Sequence, residues 1–295
     1  MIKRFDVVIW NYNRLQSLFD NIQRLRNLDK TRDRITVVSG SPSSAEAASV
    51  RAFTESTGIE SRYLVRVNRG LAELARAEYF TGNVGTLDDN LSHEFIFQMQ
   101  EHYLDTGSSY SRYPHGDVKG DVVPDGAVFD LDNIERLAEG LRLDVLFCDR
   151  LNPCWFKLGG SCYIAPNGGN FIIRSAEIRR PSAQSFIGRL MESCDNTYDW
   201  AVFAEYMWGY LFFKPGTRTY DLRRGRLFTS FPRGSFYVHN GPSNPRFREV
   251  YGKYHSALGL PHAVFVWEPA FDYAIELARR CKRTFARYCR QSMGV

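Results

Sequence analysis

The chain has 295 residues, of which 44% are hydrophobic and 24% charged, and its formal net charge is +5. This composition indicates a globular protein with a sizeable core, and the mild, dispersed charge gives no reason to expect nucleic-acid binding. The six cysteines include no Cys-x-x-Cys pair, which disfavours structural zinc and a secreted disulfide framework and favours a cytoplasmic protein. No apolar run has the length of a membrane span, and we expect no signal peptide because the first strand begins too early.

Strand patterns alternate with helix patterns in the first part of the chain. Strands are predicted over 5–10, 35–38 and 62–67, the first as a continuous apolar run typical of a strand buried on both faces. A short polar turn and a helical pattern follow each of them. Three strand–turn–helix units in succession predict a parallel, doubly wound α/β sheet.

The helices between these strands have local start and stop signals. The first carries an apolar stripe made of Leu15, Leu18, Phe19, Ile22 and Leu25. Ser43 and Glu46 have the spacing of a capping box at the start of the second. The third is predicted over 71–80, with Gly82 as its C-terminal stop. Further along, the pattern favours a helix near 131–141 and a strand over 143–148.

The fourth predicted strand begins at Phe95 and runs directly into a polar cluster. That cluster contains Gln98, Gln100, Glu101, His102 and Asp105. Open α/β sheets bind ligands at the carboxyl ends of their strands, where the strand order reverses. A buried strand that ends in amide, carboxylate and imidazole groups therefore predicts the floor of a ligand site, although a strand that simply emerges into solvent has the same pattern.

The turns that follow the strands favour a phosphate-bearing ligand at the same edge. Right-handed crossovers bring the N-termini of the helices together there, and their free backbone N–H groups favour phosphate. The first strand is followed neither by G-x-G-x-x-G nor by G-x-x-x-x-G-K-[ST]. These absences disfavour a dinucleotide oxidoreductase and a P-loop enzyme, and leave a nucleotide site of another design.

Four motifs stand in a consistent order along the chain. Val7–Asn13 ends the first strand in a polar turn, and Asn68-Arg-Gly70 with Ala75-Arg76 follows the third strand. Gly168–Arg174 and Tyr198-Asp-Trp200 come later. Over roughly residues 5–220, this ordered set resembles the GT-A class of nucleotide-sugar glycosyltransferases, closest to the family 2 type.

The resemblance implies both a fold and an activity. The fold is of GT-A type (Rossmann-like), with a doubly wound, mostly parallel sheet and a C-terminal helical extension. The activity is that of a hexosyl- or pentosyltransferase in polysaccharide biosynthesis. Such an enzyme moves a sugar from a nucleotide-sugar donor to a hydroxyl of a glycan or glycolipid acceptor, with inversion at the anomeric carbon.

The resemblance also implies which residues hold the two substrates. Residues at the carboxyl ends of the first four strands would bind the donor nucleotide: Asn11, Asn13, Arg14, Ser39, Asn68, Gly70, Arg76, Gln98 and Gln100. The acceptor would contact a glycine-rich turn and two aromatic residues: Trp155, Gly168, Gly169, Asn170 and Trp200. The loop that carries Trp155 has a second interpretation, as a surface connection with a buried tryptophan.

Asp199 is the candidate catalytic base, with Glu205 as a further catalytic carboxylate. Displacement at an anomeric carbon needs a carboxylate that takes the proton from the incoming hydroxyl. An acidic residue at a helix start, near aromatic rings, can be held and partly desolvated for that purpose. The same position also suits a simple helix cap.

The metal-binding motif of the family is missing from this chain. Gln98-Met-Gln100 stands where the family has D-x-D, and Ser39-Gly40-Ser41 stands where it has an acidic residue after the second strand. Mn²⁺ and Mg²⁺ prefer carboxylate oxygen, and Mn²⁺ also accepts imidazole. We therefore predict a divalent cation held by Glu101 and His102, with His239 as a distant third ligand. Both histidines suit ordinary hydrogen-bonded roles as well.

The chain is predicted to divide near residue 225. Residues 1–225 would form the catalytic domain that binds nucleotide-sugar and acceptor, and 226–295 a C-terminal extension with a basic amphipathic helix. We expect this helix to pack on its own domain, although a basic amphipathic helix can also lie on an anionic membrane surface.

Two other functions are compatible with the sequence to different degrees. A non-catalytic carbohydrate- or nucleotide-binding module on the same fold would explain the missing D-x-D. Nucleotidyl transfer on a similar fold is disfavoured, because no G-x-G-x-R loop follows the first strand.

Overall fold

A computed structural model describes residues 3–11, 14–40, 44–66, 71–100, 129–147, 151–152, 165–166, 171–212, 217–221, 226–228, 253–254 and 256–259. The strands are β1 (Phe5–Asn11), β2 (Leu25–Arg26), β3 (Arg34–Ser39), β4 (Glu60–Val65), β5 (Phe95–Gln100), β6 (Phe129–Asp130), β7 (Val145–Phe147), β8 (Leu151–Asn152), β9 (Ala165–Pro166), β10 (Phe171–Arg174), β11 (Thr219–Asp221) and β12 (Arg226–Phe228). The helices are α1 (Leu15–Gln23), α2 (Ser44–Thr57), α3 (Ala72–Thr81), α4 (Leu87–Asn90), α5 (Leu131–Gly140), α6 (Ser175–Arg179), α7 (Pro181–Glu192) and α8 (Tyr198–Phe212).

Eight of the strands form one sheet, in the order β12-β11-β7-β10-β5-β1-β3-β4. Strands β5, β1, β3 and β4 are mutually parallel, whereas β10 runs antiparallel to both of its neighbours. The chain passes from β1 outward to β3 and β4, then returns to the other side of β1 as β5. The predicted α/β class and doubly wound, mostly parallel sheet are confirmed, and the strand order reverses between β1 and β5.

Each face of the sheet is covered by its own group of helices. On one face, here called the α3 face, Val8 and Trp10 pack in a core with residues of α3, α7 and α8. On the other, the α2 face, Val7 and Ile9 pack with residues of α1, α2 and α5. All seven residues of β1 are buried. Because successive side chains of a strand point to opposite faces, β1 supplies both cores.

Local sequence signals place several element ends correctly. Helix α3 ends at Gly82, whose φ of 78° lies in the left-handed region that glycine adopts without strain. Helix α1, in contrast, stops at Gln23. Leu25, predicted as part of its apolar stripe, lies in β2 and pairs with Phe129 of β6.

Part of the predicted C-terminal extension is described. Residues 226–228 form β12, the edge strand of the main sheet, while Tyr254 and Leu258 are buried in the core of the α3 face. The basic helix predicted near the C-terminus lies outside the described residues, so the domain division stays a prediction. Among the helices that the structure describes, none has the length and apolar character needed to cross a bilayer.

Candidate functional site

Two buried polar clusters flank the carboxyl edge of the sheet, one on each face. The registers define this edge, because Trp10 pairs with Gln100, Asn11 with Ser39, and Phe171 with Gln98. This is the end of the sheet at which the strand order reverses between β1 and β5. Ligands of open α/β sheets bind at this kind of position.

On the α3 face the polar groups form an arginine cluster, defined by Arg76, Glu73, Trp10, Phe171 and Trp208. Arg76 is fully buried, and one of its terminal nitrogens donates to the carboxylate of Glu73. The indole N–H of Trp208 donates to the same carboxylate. The guanidinium carbon lies 5.9 Å from the ring centroid of Trp10, 6.0 Å from that of Phe171 and 5.7 Å from that of Trp208. Such contacts hold a cation in place without using its N–H groups.

Three donor nitrogens of the arginine cluster have no hydrogen-bond partner within the part of the chain that the structure describes. They are Nε and one terminal nitrogen of Arg76, and Nε1 of Trp10. Leaving a buried donor unpaired costs about 1–3 kcal/mol, and native proteins leave few such groups. A cationic group with unused donors at a sheet edge suits an anionic ligand, and an arginine fork matches phosphate in particular.

On the α2 face an acceptor cluster consists of Asn11, Ser39, Glu46 and Tyr63. Oε1 of Glu46, in the first turn of α2, lies 2.6 Å from Nδ2 of Asn11, 2.6 Å from Oγ of Ser39 and 3.4 Å from the Tyr63 hydroxyl. Glu46 is 6% exposed. Burial raises the pKa of the Tyr63 phenol, and the neighbouring Glu46 carboxylate adds to the rise. The carboxylate therefore favours the neutral, hydrogen-bonding form of Tyr63.

The structure brings several of the predicted donor-binding residues to this edge. Asn11, Ser39 and Gln98 are buried at or near the ends of their strands, and Arg76 of α3 is buried against Trp10 and Phe171. Gln100 is the last residue of β5, and Arg14 is an exposed residue just before α1. Ten further predicted site residues lie outside the described residues: Asn13, Asn68, Gly70, Glu101, His102, Trp155, Gly168, Gly169, Asn170 and His239.

Trp200, predicted to contact the acceptor, is fully buried, and its indole N–H donates to the hydroxyl of Ser193 at 3.1 Å. Its acceptor role stays a prediction from the sequence. Tyr198, two residues earlier, is 66% exposed and is the aromatic ring of this turn that solvent reaches.

Asp199 lies in the first turn of α8, and Glu205 lies in the middle of this helix. Both are half-buried. Trp208, in the second half of α8, belongs to the arginine cluster. It follows Asp199 by nine residues, which corresponds to about 13 Å along the helix axis. The corner before α8 is fixed by Asp195, which accepts hydrogen bonds from Lys253 and Tyr254, each at 2.8 Å. Burial opposes ionisation of Asp195, but the bonds from Lys253, Thr197 and Tyr254 lower its pKa overall.

Glu46 and Glu73 are the site residues that sequence reasoning missed. Glu46 was interpreted as a helix-capping residue, and its contacts with β1 and β3 depend on tertiary packing. Glu73 stands three residues before Arg76, a spacing that places two side chains on the same face of a helix. This spacing is the feature of the sequence from which the ion pair between Glu73 and Arg76 can be predicted.

The described residues contain no group of three histidine, cysteine, aspartate or glutamate side chains that could hold a metal ion. The residues predicted to ligate the divalent cation all lie outside this part of the chain. The metal site therefore stays a prediction from the sequence.

Comparison with solved structures returns proteins whose structures contain a nucleotide-sugar or a nucleotide. A complex of S. aureus TarS (residues 1–349) with UDP-GlcNAc is 11% identical over 86% of this chain and 66% of its own, with a TM-score of 0.41. A mannosyltransferase from Pyrobaculum calidifontis, in complex with GDP-Man and Mn²⁺, is 13% identical over 88% of this chain and 63% of its own, with a TM-score of 0.35. Core-mannan synthase A from Aspergillus fumigatus, in an Mn/GDP form, is 9% identical over 87% of this chain and 85% of its own, with a TM-score of 0.43.

These similarities do not establish a family or an activity, because all three TM-scores are below 0.5 and the identities are very low. This chain also spans only 34% of the TarS chain in another structure. No protein-family model matches the sequence. No curated protein is significantly similar to it.

Proposed function

We propose that this chain is a glycosyltransferase that moves a sugar from a nucleotide-sugar donor to a hydroxyl of a glycan or glycolipid, with inversion. The arginine cluster carries the proposal. It sets a fully buried guanidinium, with two nitrogens that lack described partners, at the edge where the strand order reverses. The diphosphate of a nucleotide-sugar supplies the anionic oxygens that these donors need.

Arg76 is proposed to stabilise the leaving group. When the bond between the sugar and the diphosphate breaks, negative charge develops on the departing phosphate oxygen. Donors that are already fixed in a buried environment stabilise such charge without reorganising. Glu73 and the three surrounding rings hold Arg76 in this way. Asn13, Asn68, Gly70 and Gln100 are proposed as further donor contacts on the strength of the sequence resemblance.

Asp199 is proposed as the general base. Its carboxylate would take the proton of the acceptor hydroxyl as that oxygen attacks the anomeric carbon and the bond to the diphosphate breaks. Its place in the first turn of α8, partly withdrawn from water beside the exposed ring of Tyr198, supports this role. Glu205 is proposed as a second carboxylate on the same helix. Acceptor contacts are proposed for Trp155, Gly168, Gly169 and Asn170.

A divalent cation on Glu101, His102 and His239 is proposed as a further source of positive charge at the diphosphate. A carboxylate with two imidazoles suits Mn²⁺ better than Mg²⁺. If this site operates, EDTA abolishes transfer and Mn²⁺ restores it. Unchanged transfer in EDTA would remove the metal from the proposal and leave the arginine cluster to neutralise the charge. The cytoplasmic location and the packing of the basic C-terminal helix on its own domain are also kept as predictions, with contact between this helix and a membrane surface as the alternative.

The proposed function is tested by incubating the purified chain with a panel of nucleotide-sugars and oligosaccharide or lipid-linked acceptors. We expect release of nucleoside diphosphate with at least one donor, in the presence of Mn²⁺. Tight nucleotide binding without turnover on any donor would indicate the non-catalytic binding module instead. Absence of both binding and turnover would contradict both functions.

The base is tested by Asp199→Asn, which keeps the shape of the side chain and removes its basicity. We expect a loss in kcat of about 100-fold or more, because general base catalysis contributes about 10²–10⁴-fold, with little change in nucleotide affinity. Asp195→Asn is the matched control, four residues earlier at the same corner. It removes the contacts to Lys253 and Tyr254 and should lower stability while kcat stays near that of the wild type. Full activity in Asp199→Asn would exclude this residue as the base.

A further inference from the structure

One oxygen of the Glu73 carboxylate connects two helices. Oε2 accepts a hydrogen bond from Nη1 of Arg76, three residues later in α3, and another from Nε1 of Trp208 in α8. Glu73 is 4% exposed and Trp208 is 1% exposed, so water hardly competes for either bond. Buried hydrogen bonds to a charged acceptor are among the stronger ones in proteins, and the indole therefore restrains the carboxylate.

The direction of the Trp208 indole N–H is fixed by the packing of its ring. The ring centroid lies 5.7 Å from that of Phe80, with the planes at 87°, and 6.1 Å from that of Phe212, with the planes at 11°. Phe80 belongs to α3 and Phe212 to α8, so the indole is packed from two sides between the helices. Because side chains in a close-packed core cannot turn freely, the indole determines where the carboxylate lies.

The position of Glu73 determines which edge of Arg76 remains for a ligand. With Nη1 bound to Glu73, Nε and Nη2 are the nitrogens that lack a partner in the described part of the chain. Nε and Nη2 present parallel N–H groups along one edge of the guanidinium, here called the fork, and a fork pairs with two oxygens of one phosphate. A carboxylate binds such a fork in the same way. Glu73 would therefore compete with the ligand if it moved from Nη1 to the fork.

We propose that Trp208 is a positioning residue of the transfer reaction: its indole N–H holds Glu73 on Nη1 of Arg76 and keeps the fork open for the diphosphate. The inference rests on the proposed function and deepens it, because it assigns a role to the N–H group in addition to the ring. Trp208 and the proposed base Asp199 both lie on α8. This one helix thus supplies the base and sets the arrangement of the arginine that receives the leaving group.

The first test uses Trp208→Phe, which removes the N–H group and keeps an aromatic ring beside the guanidinium. The probe is inorganic pyrophosphate with Mg²⁺, which carries the diphosphate without base or sugar, and the readout is the ¹⁵N NMR signal of the Arg76 Nε–H group. In the wild type we expect pyrophosphate to shift this signal. In Trp208→Phe the same shift should need about 10-fold more pyrophosphate, because Glu73 is released to compete for the fork.

A control variant separates this effect from a general loss of core packing. Tyr79→Phe also removes a buried hydrogen bond to a carboxylate, the one that the Tyr79 hydroxyl donates to Asp6 at 2.5 Å. It lies on α3 but takes no hydrogen bond from the arginine cluster. We expect its pyrophosphate midpoint to equal that of the wild type, whereas a purely structural role of Trp208 would give both variants the same midpoint.

The second test is a double-mutant cycle with Glu73→Gln. Glutamine keeps an acceptor oxygen for Nη1, but without the negative charge it competes only weakly for the fork. Trp208→Phe should therefore change the pyrophosphate midpoint by less than about twofold in the Glu73→Gln background. In the Glu78→Gln background the change of about 10-fold should persist, because Glu78 is a buried carboxylate of the same helix that pairs with Arg66 at 2.6 Å instead.

The outcomes separate this inference from the proposed function. If neither pyrophosphate, UDP nor GDP shifts the Arg76 signal of the wild type, the leaving-group role of Arg76 fails, and the proposed function and this inference fail with it. If the wild type responds and folded Trp208→Phe responds at the same concentration, the proposed function stands and the role of the indole N–H is wrong. Where Trp208→Phe does not fold, Glu73→Gln alone decides: we expect it to bind pyrophosphate at least as tightly as the wild type, and a 10-fold loss would overturn the inference.

Discussion

The two edges of the parallel sheet each contain a buried arginine, and the two side chains are used differently. At the amino edge, Arg34 is 1% exposed and donates to Asp6 at 2.8 Å and to the Asp89 carboxylate and carbonyl at 2.8 and 2.7 Å. Both of its terminal nitrogens are thus engaged, and only its Nε lacks a hydrogen-bond partner within the described residues. At the carboxyl edge, Arg76 is equally buried, and the structure gives it one hydrogen-bonding partner, Glu73, within the described residues.

This difference separates the ion network of the amino edge from the arginine cluster that we propose as a binding site. The carboxylate of Asp6 also accepts from Thr36 at 2.7 Å and from the Tyr79 hydroxyl at 2.5 Å, so the charges of the amino edge are matched from several sides. Burial opposes the charged form of Arg34, but Asp6 and Asp89 raise its pKa overall. The carboxyl edge instead keeps donors on one face and an acceptor on the other. Unmatched polar groups of this kind are expected where a ligand completes the set.

The largest expected effect comes from the paired changes Arg34→Lys and Arg76→Lys. Lysine at position 34 can pair with Asp6 but cannot bridge Asp6 and Asp89 together, so we expect the lost hydrogen bonds to cost about 2–3 kcal/mol of the free energy of unfolding. In contrast, Arg76→Lys can keep its pairing with Glu73, so we expect a stability loss of only about 1 kcal/mol. Its nucleotide affinity should fall about 10–100-fold because the unused guanidinium donors are gone. Urea denaturation and calorimetry measure the two quantities. Equal stability losses with unchanged nucleotide affinity would erase the distinction between the edges.

The pH dependence of stability is expected to arise at the amino edge, from His93. This residue is 1% exposed, and burial lowers its pKa from 6.5 to about 4, although Asp6 acts in the opposite direction. Between these two values the unfolded chain binds a proton that the folded chain excludes. The stabilising contribution of neutral His93 to the free energy of unfolding is therefore complete above pH 6.5. It falls as the pH drops towards 4, by about 3 kcal/mol in total.

His93→Gln tests this assignment because it removes the titrating group. We expect the pH dependence between 6.5 and 4 to flatten in urea denaturation series, while Arg76→Lys keeps the wild-type slope. A wild-type slope in His93→Gln would show that another group at the amino edge, or outside it, titrates in this window.

The smallest expected effect comes from Tyr79→Phe and Trp10→Phe, whose rings are in edge contact at a centroid distance of 5.8 Å. Tyr79→Phe removes a satisfied hydrogen bond to Asp6 and should cost about 1 kcal/mol of stability with no change in nucleotide affinity. Trp10→Phe removes an indole N–H that lacks a described partner, and should weaken nucleotide binding about fivefold. Fluorescence-monitored unfolding and calorimetry distinguish the two variants, and the same profile for both would contradict the comparison.

The sequence predicts the parts of this molecule that depend on local signals. The buried strands β1, β3 and β5 are recognisable from short apolar runs, as is β4, which is only partly buried, and the end of α3 is recognisable from Gly82. The sequence does not predict strand β2, because β6, its partner among the described strands, lies more than a hundred residues away along the chain. The sequence placed Asn11, Ser39, Gln98 and Arg76 at one edge, because the carboxyl ends of parallel strands and the starts of the following helices meet there.

The parts of the site that could not be predicted depend on how helices pack against the sheet. Glu46 looks like a capping residue until α2 is docked against β1 and β3. Trp200 and Tyr198 differ by only two positions, and the packing of α8 into the core of the α3 face decides that the first is buried and the second exposed. Neither outcome follows from the spacing of residues along a single helix.

The alternation of side chains along β1 constrains how a nucleotide can be accommodated. Trp10 faces the helices on one side of the sheet and Asn11 those on the other, so a ligand that engages both must straddle the rim of the sheet. Inserting or deleting one residue within β1 would exchange the two sides, placing an amide among the aromatic rings and an indole against Glu46. The number of residues in β1 therefore determines how the proposed site presents Trp10 and Asn11 to a nucleotide. We expect nucleotide preference to change through substitutions that keep this number of residues.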